Sequence, residues 1–215
     1  MVAFKRWCLP IIGSVLLAFV GMASAGPITV PIKLLSKGGP APMGVGVYPY
    51  IYDINGNTVN AMCDDYLDKS TIGQSWTAAV YSASNPGGAI FSSLANAGTD
   101  YKEAAWLQTQ FASHPNDVAS IQYAVWDIFD PSAPKYGNSA MWMALATAQS
   151  KTGFGGMNFG DFLIYTPFSW KGSRPQEIIA EVPEPATLVL FFSGLLLLGW
   201  AGFRRARKLR PALMA

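Results

Sequence analysis

Cys63 and the residues near it are the part of this chain best suited to chemistry. The sequence holds two cysteines, and Cys8 falls within an apparent cleaved leader, so Cys63 is the lone thiol of the exported chain. A lone exported cysteine cannot close an intramolecular disulfide in an oxidising compartment. Four fates stay open to it: an intermolecular disulfide, a nucleophile, a buried inert thiol, or capture in some other covalent bond. His114, the only histidine, and Asp127 invite a cysteine-hydrolase reading, but no local nucleophile signature surrounds Cys63. His114 precedes Pro115 at a helix end, where a solvated imidazole near the C-terminal dipole is the ordinary explanation. The chain is therefore not expected to be an enzyme. Asp64, Asp65 and Asp68 could hold a hard cation, yet they lack the spacing and glycine of an EF-hand, so solvated acids with no metal and no cofactor are expected.

The elements that must position these residues follow from pattern. Val45 to Tyr52 reads as a strand, with Pro49 arguing for an edge or a bulge. Asp53 to Thr58 is a turn built on Asn55-Gly56, and Thr58 to Cys63 is the returning strand, so Cys63 ends a hairpin. Trp76 to Ser82 and Ala89 to Ala97 read as short helices around Asn85-Pro86-Gly87-Gly88. Asp100 and Glu103 have the form of a capping box for a helix in which Ala104, Leu107, Gln108 and Phe111 continue at helical spacing to His114-Pro115. A second helix starts near Asn116-Asp117, carries Ile121, Ala124, Val125 and Ile128 at i, i+3, i+4 and i+7, and stops at Asp130-Pro131. A third runs from Asn138 towards Gly153 with Trp142, Leu145 and Ala146 on one face. Phe162 to Thr166 and Gln176 to Val182 read as strands. Strands on either side of a helical middle predict an α+β domain without internal repeats.

Two short stretches then come together. Met62-Cys63-Asp64 ends a strand, and Ile121-Gln122-Tyr123-Ala124-Val125-Trp126 lies in the second helix. This pair resembles the thioester domains of bacterial surface adhesins, over roughly residues 45 to 130, although Met62 stands where an aromatic is commoner in that family. The resemblance implies a bond between the Cys63 sulfur and the Gln122 side-chain carbonyl, formed with loss of ammonia. An acyl group on sulfur is activated towards amines, whereas an amide is inert, so such a bond needs a preorganised approach and shelter from water. Tyr66 and Trp126 are candidates for that shelter. Attack by a lysine amine would leave Gln122 as a substituted amide and Cys63 as a free thiol, once per molecule.

Both ends of the sequence read as addresses. Lys5 and Arg6 precede an apolar stretch from Leu9 to Val20, and Ala23-Ser24-Ala25 offers signal peptidase its small residues at Ala23 and Ala25, giving a signal peptide over 1–25. At the other end Pro183-Glu184-Pro185 precedes an uncharged apolar run from Leu188 to Phe203 and then Arg204, Arg205, Arg207, Lys208 and Arg210. This order resembles the PEP-CTERM sorting signal, which implies a Gram-negative bacterium and processing by an exosortase. Residues 182–210 are assigned to that signal, with a transmembrane helix over 187–203 held in the inner membrane by the basic flank before processing. Residues 26–181 form the exported domain.

Setting aside the two basic residues of the leader and the five of the tail leaves eight basic against thirteen acidic residues, a net charge of −5. That excludes a basic nucleic-acid footprint. The expected function is covalent attachment, at the cell surface or in an extracellular or biofilm matrix, to an amine-bearing partner. The alternative is a structural envelope or matrix protein with an inert Cys63. The target and the oligomeric state are not legible.

Overall fold

The computed structural model describes residues 26–39 and 44–182. Six strands, β1 (Thr29–Ser36), β2 (Tyr50–Ile54), β3 (Asn57–Cys63), β4 (Ser75–Ser82), β5 (Phe162–Ser169) and β6 (Ile178–Glu181), close into an antiparallel barrel in the order β1-β2-β3-β6-β5-β4. Three helices, α1 (Ala97–Gln110), α2 (Val118–Phe129) and α3 (Ser139–Lys151), fill the connection between β4 and β5.

This corrects the expected α+β arrangement of strands flanking a helical middle with a transmembrane helix over 187–203. The helices are an insertion packed against one barrel, because β6 pairs with β3 and β5 pairs with β4 across the inserted segment. No helix among the described residues is long and apolar enough to cross a membrane. Residues 187–203 themselves lie outside the described residues.

Alternation along the strands explains the closure. Ile32, Leu34, Tyr50, Tyr52, Ala61, Cys63, Trp76, Ala78, Ile178 and Ala180 form one apolar cluster inside the barrel. Intervening residues such as Met62, Phe162, Ile164 and Ile179 join a second cluster with the helices. Where strands are buried on both faces, as in β6 from Ile178 to Ala180, they read as apolar runs with little amphipathic signal, whereas β1 alternates buried and exposed positions. The β2–β3 hairpin is the one the Asn-Gly pair predicts: Asn55 has φ 51° and Gly56 φ 84°, the left-handed pair that matches the twist of the flanking strands. Gly56 N–H donates to Asp53 Oδ1 at 2.8 Å.

Several local expectations change. The first strand, β1, carries no expectation above, and the predicted strand from Val45 begins only after Pro49, at Tyr50. Trp76 to Ser82 is β4, not a helix: it pairs with β1 on one side and β5 on the other, and that pairing overrides the helix preference of Ala78-Ala79. Residues 89–96 form turns. Helix α1 starts at Ala97 with no side-chain cap, so Asp100 lies inside its first turn and the capping box is not formed. Helices α2 and α3 fall where the pattern puts them, except that Leu145 faces outwards while Trp142 and Ala146 are buried.

Candidate functional site

Helix α2 is buried nearly all round, from Ser120 to Asp127. Ile121, Ala124, Val125 and Phe129 join the cluster shared with α1 and the barrel exterior. Tyr123 and Trp126 form a third cluster with Val47 and Ala133. A helix apolar on every side belongs in a core, and Gln122 is the polar residue in its middle.

The structure brings Gln122 to Cys63. Cys63 ends β3 opposite Ile178, and both Cys63 and Gln122 are 0% exposed. The Gln122 amide donates from Nε2 to the Cys63 backbone carbonyl at 2.6 Å. Its carbonyl oxygen, Oε1, is buried and makes no hydrogen bond. The Cys63 thiol donates to the Asp65 carbonyl at 3.0 Å. Burial, and then the nearby Asp64 and Asp65 carboxyls, push that thiol well above its ordinary pKa, with a smaller opposing effect from the Trp126 indole. That indole N–H is close enough to the sulfur to favour the thiolate but makes no hydrogen bond of acceptable geometry.

The aromatic shelter lies around this pair. Trp126, one turn after Gln122, is 2% exposed. It meets Tyr66 at a centroid distance of 5.3 Å and Tyr123 edge-on at 5.0 Å. Outside it is a small cleft of about 110 Å³, lined by Tyr50, Tyr66, Trp126, Gln176, Lys37 and Lys69 among others. This cleft shares Trp126 and Tyr66 with the site, and it matches a side-chain tip in size, not a folded ligand.

The aspartates after Cys63 are not solvated as expected. Asp64 is fully buried and Asp65 is 3% exposed, while Asp68 is half-buried beside Arg174, its Oδ2 3.3 Å from Nε. Asp65 Oδ1 accepts the N–H groups of Leu67 and Asp68, and burial raises its carboxyl to about 6. Asp64 follows Cys63, and Glu177, also 0% exposed, precedes the Cys63 partner Ile178. Burial first, then the Glu177 carboxyl, holds the Asp64 pKa well above the carboxylate range. Neither Asp64 oxygen meets a donor in acceptable geometry, so the neutral acid is the form this pocket favours. Glu177 is fully engaged, accepting from Tyr101 Oη at 2.5 Å, from Ile90 N–H at 2.9 Å and from the Thr166 hydroxyl. Gln176 fastens the loop: its Nε2 donates to the Asp65 carbonyl at 2.8 Å, and its N–H donates to Ser70 Oγ at 2.9 Å. Sequence reading missed Glu177, Tyr101 and Gln176, because their link to Asp64 and Asp65 exists only after β6 pairs with β3.

A hydrolase triad does not assemble. The exposed His114 ring contacts the Gln110 carbonyl and Ser113 Oγ through Nδ1 and packs edge-on to Trp142 at 4.8 Å. The Asp127 carboxylate is paired with Lys135. Among the described residues there is no acidic, histidine or cysteine cluster that could hold a metal ion.

The predicted signal-peptidase residues Ala23 and Ala25 and the motif Pro183, Glu184 and Pro185 lie outside the described residues. The chain meets that motif at Val182, which closes β6 with an N–H donated to the Asp161 carbonyl at 2.7 Å. No curated protein and no solved structure matches the chain. Residues 181–208 match the PEP-CTERM protein-sorting motif, and this segment marks the protein as exported, sorted by an exosortase, and destined for the cell surface or the extracellular space.

Proposed function

We propose that the exported domain carries a Cys63–Gln122 thioester and attaches covalently to an amine-bearing partner at the surface or in the extracellular matrix. The observation that supports this most is the Gln122 amide, held 2.6 Å from the Cys63 carbonyl in a fully buried site with its own oxygen unpartnered. An unsatisfied buried amide oxygen costs about 1–3 kcal/mol. A thioester carbonyl is a poorer acceptor and suffers less from that isolation.

The reaction balances without a co-reactant. Cys63 Sγ bonds to the Gln122 side-chain carbonyl carbon, the carbon–nitrogen bond breaks, and the thiol proton leaves with the nitrogen as ammonia. The hydrogen bond to the Cys63 carbonyl orients the departing nitrogen, while Trp126 and Tyr66 exclude water that would hydrolyse the product. An amine entering past Tyr66 then displaces the sulfur, which recovers its proton. Each molecule reacts once, so the domain is a covalent binder and not a turnover enzyme.

A structural role with an inert Cys63 is favoured by one observation: the thiol is fully buried, bonded to the Asp65 carbonyl, and held protonated. The two readings part on treatment with methylamine. The thioester reading expects methylamide on Gln122 together with a newly alkylatable Cys63, and neither change in the Gln122→Ala variant. An unmodified Gln122 with a thiol released only by denaturation would establish the inert cysteine instead.

A further inference from the structure

The barrel end away from Cys63 is built differently, and its lining points to a second ligand. Val30, Val59, Val80 and Leu163 turn inwards there but are only partly buried, and among the described residues no helix residue lines the space over them. Together with Ile54 and Tyr165 they wall a cavity of about 1190 Å³, somewhat above the roughly 300–1,000 Å³ usual for ligand sites. Deeper in the barrel Tyr52, 0% exposed, meets Trp76 edge-on at 5.9 Å and fills the bore, so the cavity has a floor. The rim carries Asn55, Asn57, Ser82 and Asn85, and among the described residues Glu181, which also borders the next cleft beside Tyr48, is the one charged residue of the lining.

We propose that this mouth binds a single hydrocarbon chain with an uncharged hydrogen-bonding head, an alkyl glycoside being the simplest member of the class. The apolar wall favours a ligand that takes its surface out of water, at about 25 cal/mol per Å². A peptide segment is disfavoured. The closed barrel offers no strand edge, so an entering backbone would bury N–H and C=O groups without partners. Among the described lining residues a carboxylate or phosphate head would find Glu181 and no cation, whereas amides and hydroxyls at the rim suit a sugar or glycerol hydroxyl. The sorting segment begins at Glu181 and Val182 on this same rim, which makes it the competing occupant to test.

The test uses the full chain in membranes of producing cells. An alkyl glucoside with a diazirine near the end of its chain is compared with a fatty acid carrying the same diazirine, and adducts are mapped by peptide mass spectrometry. The proposal expects glucoside adducts on the mouth ends of β1, β3, β4 and β5, and clearly fewer from the fatty acid. Leu163→Trp, which fills the mouth, should lower glucoside labelling roughly tenfold, equivalent to about 1.4 kcal/mol. Because that variant could misfold, Glu181→Gln supplies an independent reading: it should raise fatty-acid labelling towards that of the glucoside. Adducts confined to residues beyond Val182 would show that the sorting segment occupies the mouth, and equal labelling by both probes in wild type and Glu181→Gln would remove the head-group argument. Either result overturns the proposal.

Discussion

The two ends of the barrel have opposite construction. At the Cys63 end a largely buried helix, α2, lies against the last residue of β3, and Trp126 and Tyr66 border a narrow cleft. At the other end the same alternation of inward side chains continues, but among the described residues no helix residue lines the mouth formed by Val30, Val59, Val80 and Leu163, which walls a large apolar cavity. One set of strands thus produces a dry, crowded site and an accessible one. The difference comes from the position of the helical insertion between β4 and β5. A reactive acyl group needs the first environment, because water competes with the amine, whereas reversible capture of a ligand needs the second.

The comparison can be broken first by separating address from chemistry. The sorting motif leaves from the open end, so replacing Pro183-Glu184-Pro185 with alanines should abolish exosortase processing, read as retention of the full-length chain, without changing the state of Cys63. If the Cys63 thiol became freely alkylatable in that variant, the two ends would be coupled and the division of roles wrong. Packing offers the next test. Trp126→Ala should destabilise the domain by about 3–5 kcal/mol in urea unfolding, as truncation of a fully packed aromatic does. Leu163→Ala at the half-open mouth should cost about 1–2 kcal/mol, since much of its surface is already in water. Equal costs would mean that the mouth is as well packed as the site.

A smaller effect concerns the acids beneath the site. Tyr101→Phe removes the hydroxyl that donates to the buried Glu177 carboxyl and should cost about 1–3 kcal/mol, the range for leaving a buried polar group short of a partner; a cost near zero would show that Glu177 does not depend on it. Smallest is the pH effect of Asp65, whose folded pKa of about 6 stands above the ordinary carboxylate value. Stability from this group is fully present below the ordinary value, where both states hold the proton. It declines as pH rises towards 6, because the unfolded chain releases its proton first. Thermal unfolding between pH 4 and 6.5 should therefore show a fall with pH that Asp65→Asn reduces. A rise over this window that the same substitution removes would reverse the sign and contradict the buried setting of Asp65.

What the sequence made legible was local. Helices α2 and α3 could be read because apolar spacing was bracketed by stops, Asp130-Pro131 for one and Gly153 for the other. The Asn55-Gly56 hairpin could be read because few dipeptides suit two successive left-handed residues. The proximity of Cys63 and Gln122 was reached through resemblance, on the residue types around them. The barrel was not legible, since its closure depends on β1 pairing with β4 and on β3 pairing with β6 across the helical insertion. For the same reason Trp76 to Ser82 passed for a helix: its alanines favour one until strands on both sides claim the backbone. The burial of Asp64 could not be foreseen either, because an acid beside a turn is ordinarily solvated and its neighbour Glu177 arrives from the far end of the domain.

The central claim is a bond, and mass measures it directly. The intact mass of the purified wild-type protein should fall one ammonia short of the value calculated for its sequence, and Cys63→Ala and Gln122→Ala should each restore the calculated mass. A wild-type mass equal to the calculated one, or a deficit that survives both substitutions, would contradict the Cys63–Gln122 thioester.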